Sequence, residues 1–290
     1  MLARLEPNEP RHLRQWAKQQ PMAAEEIAAR VVFQADLAPL AAEVFAAIGD
    51  GKRAREYYRR ALRLDPTARQ PESHFAFARI LLKDGEYGAA RQVLRRAARN
   101  PAAECVPVIV ELLISTSRLD SFEREIADFP LLAEQWVALR RAVCNAQLDA
   151  DRFGVALALC EEHPEILDAS LARRLREAAR AVVTLARCVG VLERALSQGA
   201  PLTDETSAAF ADLAESELSS LQVETALVHL QRAHELQPAL WRAAEKLAGL
   251  YLDGGDARKA AETIKAFLAG TKDDAERAQA QQLLGRIPGT

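Results

Sequence analysis

Aromatic residues are scarce in this chain of 290 residues: they make up 6% of the sequence, although hydrophobic residues make up 49%. The apolar content is chiefly Ala, Leu and Val, which suits helices packed at close range, and we expect no strands. No apolar run reaches the roughly 18 residues that a membrane span requires, and the N-terminal stretch lacks the apolar segment of a secretion signal. We therefore expect an all-α, cytoplasmic protein without a membrane partner.

The motifs of common active sites are also missing. The sequence has no Gly-rich phosphate loop, no GxSxG and no HExxH, and its five histidines show no metal-ligand spacing. The four cysteines form no CxxC or Cys/His pattern, which favours structural thiols. Cys144 and Cys160 would face each other within one helical pair, an arrangement that allows a disulfide without requiring one. We expect no enzyme, no catalytic residue, no metal and no cofactor.

A repeat of small and apolar residues is the main positive feature. Four positions near the C-terminus recur 34 residues later, namely Leu213, Ala214, Ala226 and Leu230 as Leu247, Ala248, Ala260 and Ile264. The same relative places near the N-terminus hold Ala42, Phe45, Ala54, Tyr58, Ala61 and Pro66. A period of this length predicts stacked helical hairpins. Ala248 and Ala260 should lie where two helix axes come closest, because a larger side chain there would push the helices apart.

Two segments resemble the second-helix signature of the tetratricopeptide repeat: GDGKRAREYYRRALRLDP, Gly49 to Pro66, and LLKDGEYGAARQVLRRA, Leu81 to Ala97. The resemblance implies a right-handed α-α superhelix, a solenoid of about seven helical-hairpin repeats with capping helices. In this family the concave surface, built from first helices, is the usual peptide-binding groove.

The clarity of the repeat varies along the chain. We expect N-terminal capping helices in 1–34, two clear units in 35–104, about three degenerate pairs in 105–206, two clear units in 207–274, and a C-terminal capping helix and tail in 275–290. In the degenerate stretch, signature places fall on Val143, Cys144, Phe153, Ala156 and Cys160 and then on Leu175, Ala179, Val191 and Ala195. The pair from Ala103 to Pro130 should have a short second helix. The last residues, Ile287 to Thr290, should fray.

The first helices supply the candidate partner-binding residues, which are Phe75, Arg79, Lys83, Arg242 and Lys246. Some relatives hold a carboxylate in a clamp of Lys, Arg and Asn. When that clamp is aligned with the last two units, its Asn place falls on Asp212, which would repel a carboxylate, so the clamp as such is not expected. Arg242 and Lys246 remain candidates for an acidic ligand, and a solvated pair beside Glu245 is the alternative.

Charge is distributed unevenly in a chain of formal net charge −3. Residues 52–99 contain thirteen basic and five acidic residues. Aligning the first two units produces a ladder of arginines on their second helices, Arg55, Arg59, Arg60, Arg63, Arg91, Arg95, Arg96 and Arg99. Such a ladder would suit an anionic partner, which could be an acidic protein segment, nucleic acid or the acidic end of a second copy in a homo-oligomer. A solvated helix face is the alternative.

The leading hypothesis is a noncatalytic scaffold that presents its superhelical surface to a peptide or helix of another protein. Two alternatives remain open. One is binding of nucleic acid or an acidic partner through the arginine ladder. The other is a regulatory or targeting segment of a larger bacterial system.

Overall fold

The computed structural model describes residues 38–64, 71–100, 104–181 and 184–288. Within these ranges the regular elements are helical and no strand occurs, so the predicted all-α class is confirmed. None of the described helices is long and apolar enough to cross a membrane. The chain divides into two units, Met1–Ala142 and Val143–Thr290. The predicted capping helices in 1–34 lie outside the described residues.

The first unit contains two full helical hairpins followed by a shorter one. Its helices are α1 (Ala38–Ala47), α2 (Gly51–Leu64), α3 (Pro71–Lys83), α4 (Tyr87–Ala97), α5 (Val106–Ser115) and α6 (Phe122–Glu125). A 3₁₀ turn, Leu119–Ser121, precedes α6. The short second helix expected in the third pair is therefore present, with only four residues in α6. The next helix, α7 (Ala133–Asp149), contains residues of both units.

The second unit continues the alternation of helix and turn to the C-terminus. Its remaining helices are α8 (Phe153–Glu162), α9 (Ala169–Ala181), α10 (Leu185–Ser197), α11 (Thr203–Ser219), α12 (Val223–Leu236), α13 (Trp241–Asp253), α14 (Ala257–Gly270) and α15 (Asp274–Leu284). A 3₁₀ turn, Pro164–Ile166, lies between α8 and α9. In five hairpins the first helix packs against the second: α1 against α2, α3 against α4, α9 against α10, α11 against α12 and α13 against α14.

The repeated positions form the core, as the period predicts. Ala226, Ala248 and Ala260 are completely buried, and Ile264 is buried with them. Small side chains at these places let the paired helices approach closely, so apolar area is removed from water without strain. In the degenerate stretch, the predicted signature places are also buried: Val143, Cys144, Phe153, Ala156, Cys160, Leu175, Ala179, Val191 and Ala195. The unit boundaries themselves remain predictions.

Six of the described hairpin turns share one backbone geometry. In each, the second residue after the first helix has a left-handed conformation; these residues are Gly49, Gly85, Ser117, Asp151, Leu221 and Gly255. The N–H of that residue donates to the carbonyl three residues back, and the next N–H donates to the carbonyl five residues back. This is the Schellman motif, which satisfies carbonyls left over at a helix end. The turn recurs where the sequence repeat is faint, at Ser117 and Asp151.

Ile287, which follows α15, is packed where the sequence predicts fraying. Asp273 caps α15 by accepting hydrogen bonds from the N–H groups of Ala275 and Glu276, at 2.9 and 3.0 Å. After α15 the chain turns back, and Ile287 packs into the cluster around Ala260 and Phe267, with 3% of its surface exposed. The expectation that the chain frays from Ile287 is therefore wrong at that residue, because its side chain completes an apolar core.

Candidate functional site

The predicted partner-binding residues of the first unit, Phe75, Arg79 and Lys83, lie on α3, and Arg79 already forms an ion pair within the chain. Arg79 donates to Glu111 of α5 through Nε and Nη2, at 3.0 and 2.8 Å from Oε1. This hydrogen bonding raises the pKa of Arg79. Lys83 is exposed and Phe75 is half-buried. An acidic ligand at this face would compete with Glu111 for Arg79.

In the second unit, two carboxylates of α11 organise the first-helix face. Glu205 and Asp212 are seven residues apart, so they lie on the same side of the helix, two turns from each other. Both are buried, and the side chain of Asp212 has no exposed surface. A buried carboxylate requires charged or hydrogen-bonding partners to offset its lost hydration. Helices α9 and α13, on the neighbouring hairpins, supply them.

Asp212 receives arginines from both neighbouring helices. Nη1 of Arg242 lies 2.6 Å from Oδ1, and Nη1 of Arg176 lies 3.0 Å from Oδ2. Nε of Arg180 lies 3.7 Å from the same Oδ2, at the edge of ion-pair distance. Arg242 also donates to the carbonyl of Ala208, which fixes its guanidinium on α11. Three guanidinium groups thus converge on one buried carboxylate.

Glu205 is held in the same manner, two turns nearer the start of α11. Its Oε1 accepts hydrogen bonds from Nε and Nη2 of Arg173, at 3.0 and 2.9 Å. Its Oε2 lies 3.5 Å from Nε of Arg176, whose side chain therefore bridges Glu205 and Asp212. Arg176 is only 15% exposed, whereas Arg173 is 62% exposed and able to meet solvent or a partner.

We call the cations of this face the unit 2 basic cluster: Arg173, Arg176, Arg180, Arg242 and Lys246. Their ion-paired carboxylates are Glu205, Asp212 and Glu215, so the network has two more positive than negative charges. Exposed Glu177 and Glu245 lie on the same helices but outside these ion pairs. Arg180 is the most loosely held of the cluster's arginines: it is half exposed, and its one ion pair among the described residues is the 3.7 Å contact with Asp212.

The structure places the predicted residues Arg242 and Lys246 in this cluster, and it adds three residues that the sequence did not single out. Arg242 pairs with Asp212, and Lys246 lies 3.8 Å from Glu215. The α9 arginines were missed because they lie in the degenerate stretch. Their spacing of three and four residues, from Arg173 to Arg176 to Arg180, is the signal that could have placed them on one helix face.

The eight arginines of the first unit's ladder differ in their pairing and exposure. Arg55 pairs with Asp84 at 2.6 Å, and both Arg91 and Arg95 pair with Asp128, at 2.5 and 2.9 Å. Arg60 is half-buried. The remaining members are exposed and have no ion-pair partner among the described residues: Arg59, Arg63, Arg96 and Arg99.

Within the described part of the chain, no group of three or more His, Cys, Asp and Glu side chains is arranged to hold a metal ion.

The chain is a helical-hairpin repeat protein: its hairpins share one turn geometry, and the residues at the repeated positions are buried. Residues 40–67 match the family model described as tetratricopeptide repeat. The tetratricopeptide repeat predicted from the second-helix signature is confirmed over these residues. No curated protein sequence matches it.

Several solved structures are similar to the chain. The Cut9–Hcn1 hetero-tetramer of the APC/C is 14% identical, with 99% of this chain and 50% of that chain covered and a TM-score of 0.30. The C-terminal part of a TPR repeat-containing protein from Cytophaga hutchinsonii is 16% identical over 94% of this chain and 99% of that chain, with a TM-score of 0.39. The TPR2AB domain of yeast Sti1, solved in a pHSP90 complex, is 15% identical over 88% and 98%, with a TM-score of 0.30. The chain spans half the length of the first of these proteins.

Proposed function

We propose that the chain is a noncatalytic interaction scaffold that binds an acidic segment of a partner protein through the unit 2 basic cluster. The observation that supports this proposal is the convergence of Arg176, Arg180 and Arg242 on the single buried carboxylate of Asp212. With Glu205 and Glu215 included, three ion-paired carboxylates still face the five cations of the cluster. The surplus positive charge favours an external anion at the exposed edge of the cluster.

Asp212 does not preclude an acidic ligand at this face. Its carboxylate is fully buried and accepts hydrogen bonds from Arg176 and Arg242, so its negative charge is compensated within the chain. The repulsion expected from the sequence is reduced accordingly. Asp212 instead holds the two arginines in place, so less side-chain entropy is lost when a ligand binds them.

The exposed arginines provide the donors for such a ligand. Arg173 and Arg180 are 62% and 50% exposed, respectively. A guanidinium group presents five N–H donors in a planar fork that matches a carboxylate. Arg173 uses two nitrogens on Glu205, and Arg180 has one long ion-pair contact among the described residues, so both groups have further N–H donors for a ligand. Partner side chains of Asp and Glu have the matching chemistry.

Two labelled peptides of equal length test this proposal, one rich in Asp and Glu and the other with Asn and Gln at the same places. Fluorescence anisotropy should show binding of the acidic peptide alone. The double variant Arg173→Glu, Arg180→Glu should weaken binding by at least about tenfold, equivalent to about 1.4 kcal/mol. The matched control is Arg258→Glu on α14, because Arg258 is 86% exposed and its one ion pair in the described part of the chain is with Glu262 on its own helix. Equal binding by the double variant and the control would refute the assignment.

The first-helix residues of the first unit require a separate comparison. One variant reverses the charges of Arg79 and Lys83, and another those of Arg242 and Lys246. Comparing their affinities for the acidic peptide should show which face binds it. We expect the second variant to lose the acidic peptide and the first to keep it. If only the first variant loses binding of the acidic peptide, the binding face is on α3 instead.

A second candidate function is binding of nucleic acid or an acidic partner through the second-helix arginines of the first unit. The observation in its favour is that Arg59, Arg63, Arg96 and Arg99 are exposed and lack ion-pair partners among the described residues. No ion pair among the described residues has to break before these arginines bind phosphate. The fourfold change of these residues to Glu should abolish binding of a labelled single-stranded RNA. In the unaltered chain, that binding should weaken steeply with salt. Absence of RNA binding at low salt would eliminate the nucleic-acid form of this candidate.

A further inference from the structure

Two buried cysteines meet inside one hairpin of the second unit. Cys144 lies on α7 and Cys160 on α8, and their Sγ atoms are 3.4 Å apart, as the sequence register predicts. The Sγ of Cys144 also lies 3.5 Å from the carbonyl oxygen of Ala156. Among the described residues, no other pair of cysteine sulfurs is within hydrogen-bonding distance, and all four cysteines are free thiols.

We propose that Cys144 and Cys160 form a reversible intrachain disulfide when the protein meets a hydroperoxide. Their sulfurs are already in contact, so bond formation needs a shift of little more than an ångström, well within the adjustment of two side chains. In the repeat register Cys144 is at the small position of Ala214, and Cys160 is at the position of Leu230, one turn after Ala156. The bond would join α7 to α8 across their turn.

The chemistry balances with one equivalent of hydrogen peroxide. One cysteine, as thiolate, attacks a peroxide oxygen; the O–O bond breaks, hydroxide leaves, and the sulfur becomes a sulfenic acid. The second thiol then attacks that sulfur, the S–S bond forms, and water leaves. Two thiols and one peroxide thus give one disulfide and two waters. A dithiol such as dithiothreitol restores both thiols by exchange.

Burial sets the rate of this reaction. Both side chains are completely buried. The hydrogen bond with Cys144, followed by burial, raises the pKa of Cys160. The closed hairpin therefore holds protonated thiols that peroxide cannot reach, and oxidation requires local opening. A sub-denaturing concentration of urea should accelerate formation of the 144–160 bond, whereas oxidation of exposed thiols would not respond in this manner.

The sequence makes the product easy to identify. Trypsin cuts after Arg141, Arg152, Arg173 and Arg187, so Cys144, Cys160 and Cys188 fall on separate peptides, 142–152, 153–173 and 188–194. The full chain is treated with hydrogen peroxide, its remaining thiols are alkylated, and the unreduced digest is analysed by mass spectrometry. We expect peptides 142–152 and 153–173 to be linked, and the link to disappear after dithiothreitol.

Cys188 provides the matched control, because it is also fully buried and its pKa is raised to about 12 by burial. Cys188→Ser should keep the link, while Cys144→Ala and Cys160→Ala should each abolish it. The unaltered chain suffices even if a variant fails to fold, since its own digest decides the question. The oxidised protein should also melt at a higher temperature than the reduced one. Alkylation of both cysteines after peroxide treatment, or linkage of either to Cys188 instead, would overturn the proposal.

Discussion

Leu221 and Gly255 occupy equivalent turns 34 residues apart, and both have a left-handed backbone, with φ of 60° and 78°. Both N–H groups donate to the carbonyl three residues back, Leu221 to Leu218 and Gly255 to Leu252. A left-handed conformation suits glycine and disfavours a residue with a Cβ. Leu221 is also 87% exposed, so burial does not offset this cost.

Leu221→Gly should therefore stabilise the protein, by about 1 kcal/mol, because it removes backbone strain without losing apolar contact. Urea denaturation followed by circular dichroism measures the change. Gly255→Leu is the reciprocal control and should destabilise by a similar amount. An unchanged midpoint in both variants would show that the turn conformation does not govern stability.

Replacing Ala226 or Ala260 with arginine should separate the two helices of the hairpin that contains it. Ala226 and Ala260 are completely buried at the contacts of α11 with α12 and of α13 with α14. Ala226→Arg or Ala260→Arg would place an unpaired charge there and should cost more than about 3 kcal/mol. Thermal unfolding should show an early transition for the altered hairpin. Ala269→Arg, at an exposed position of α14, is the control and should melt like the unaltered chain.

Removing the buried carboxylate of Asp212 should destabilise the second unit. In Asp212→Ala, the guanidinium groups of Arg176 and Arg242 lose their shared acceptor, and the expected cost is about 3 kcal/mol. Chemical denaturation measures it, with Asp204→Ala as the control, since Asp204 is exposed on the same helix. A double-mutant cycle with Arg242→Ala should give a coupling energy above about 1 kcal/mol. Additive effects would mean that the pair does not interact.

Stability should decrease below about pH 6.5 through His234. Its Nδ1 is buried without a hydrogen-bond partner among the described residues, and burial lowers the pKa of the imidazole. The unfolded chain, with an ordinary pKa of about 6.5, then binds the proton more readily than the folded chain. The contribution is therefore fully present above that pH and is lost as the pH falls toward the lower folded pKa. His234→Gln should flatten this part of a plot of unfolding free energy against pH. Identical slopes for both proteins would exclude the effect.

The sequence was sufficient to predict the hairpins and much of their core. Ala226 and Ala260 could be found because close helix crossings require small residues at a fixed period, and that constraint acts within each hairpin. The same repeat alignment also predicted that Cys144 and Cys160 face each other. The turn at Leu221 was not predicted, because a leucine carries no signal for a left-handed backbone.

The ion pairs were harder to foresee, because they depend on contacts between consecutive hairpins. Arg176 and Asp212 are 36 residues apart, and neither belongs to the repeat signature. Their meeting depends on how α9 packs beside α11, which no local pattern records. Ile287 was predicted wrongly for a related reason: its burial depends on a cluster formed by other helices.

The pairing of Arg79 with Glu111 spans 32 residues, and that of Arg173 with Glu205 spans the same distance. Each bond therefore joins one hairpin to the hairpin that is synthesised immediately afterwards. A chain connected in this manner has low contact order, which favours rapid folding. Each hairpin can gain its stabilising neighbour as soon as the following one leaves the ribosome, so folding can keep pace with synthesis.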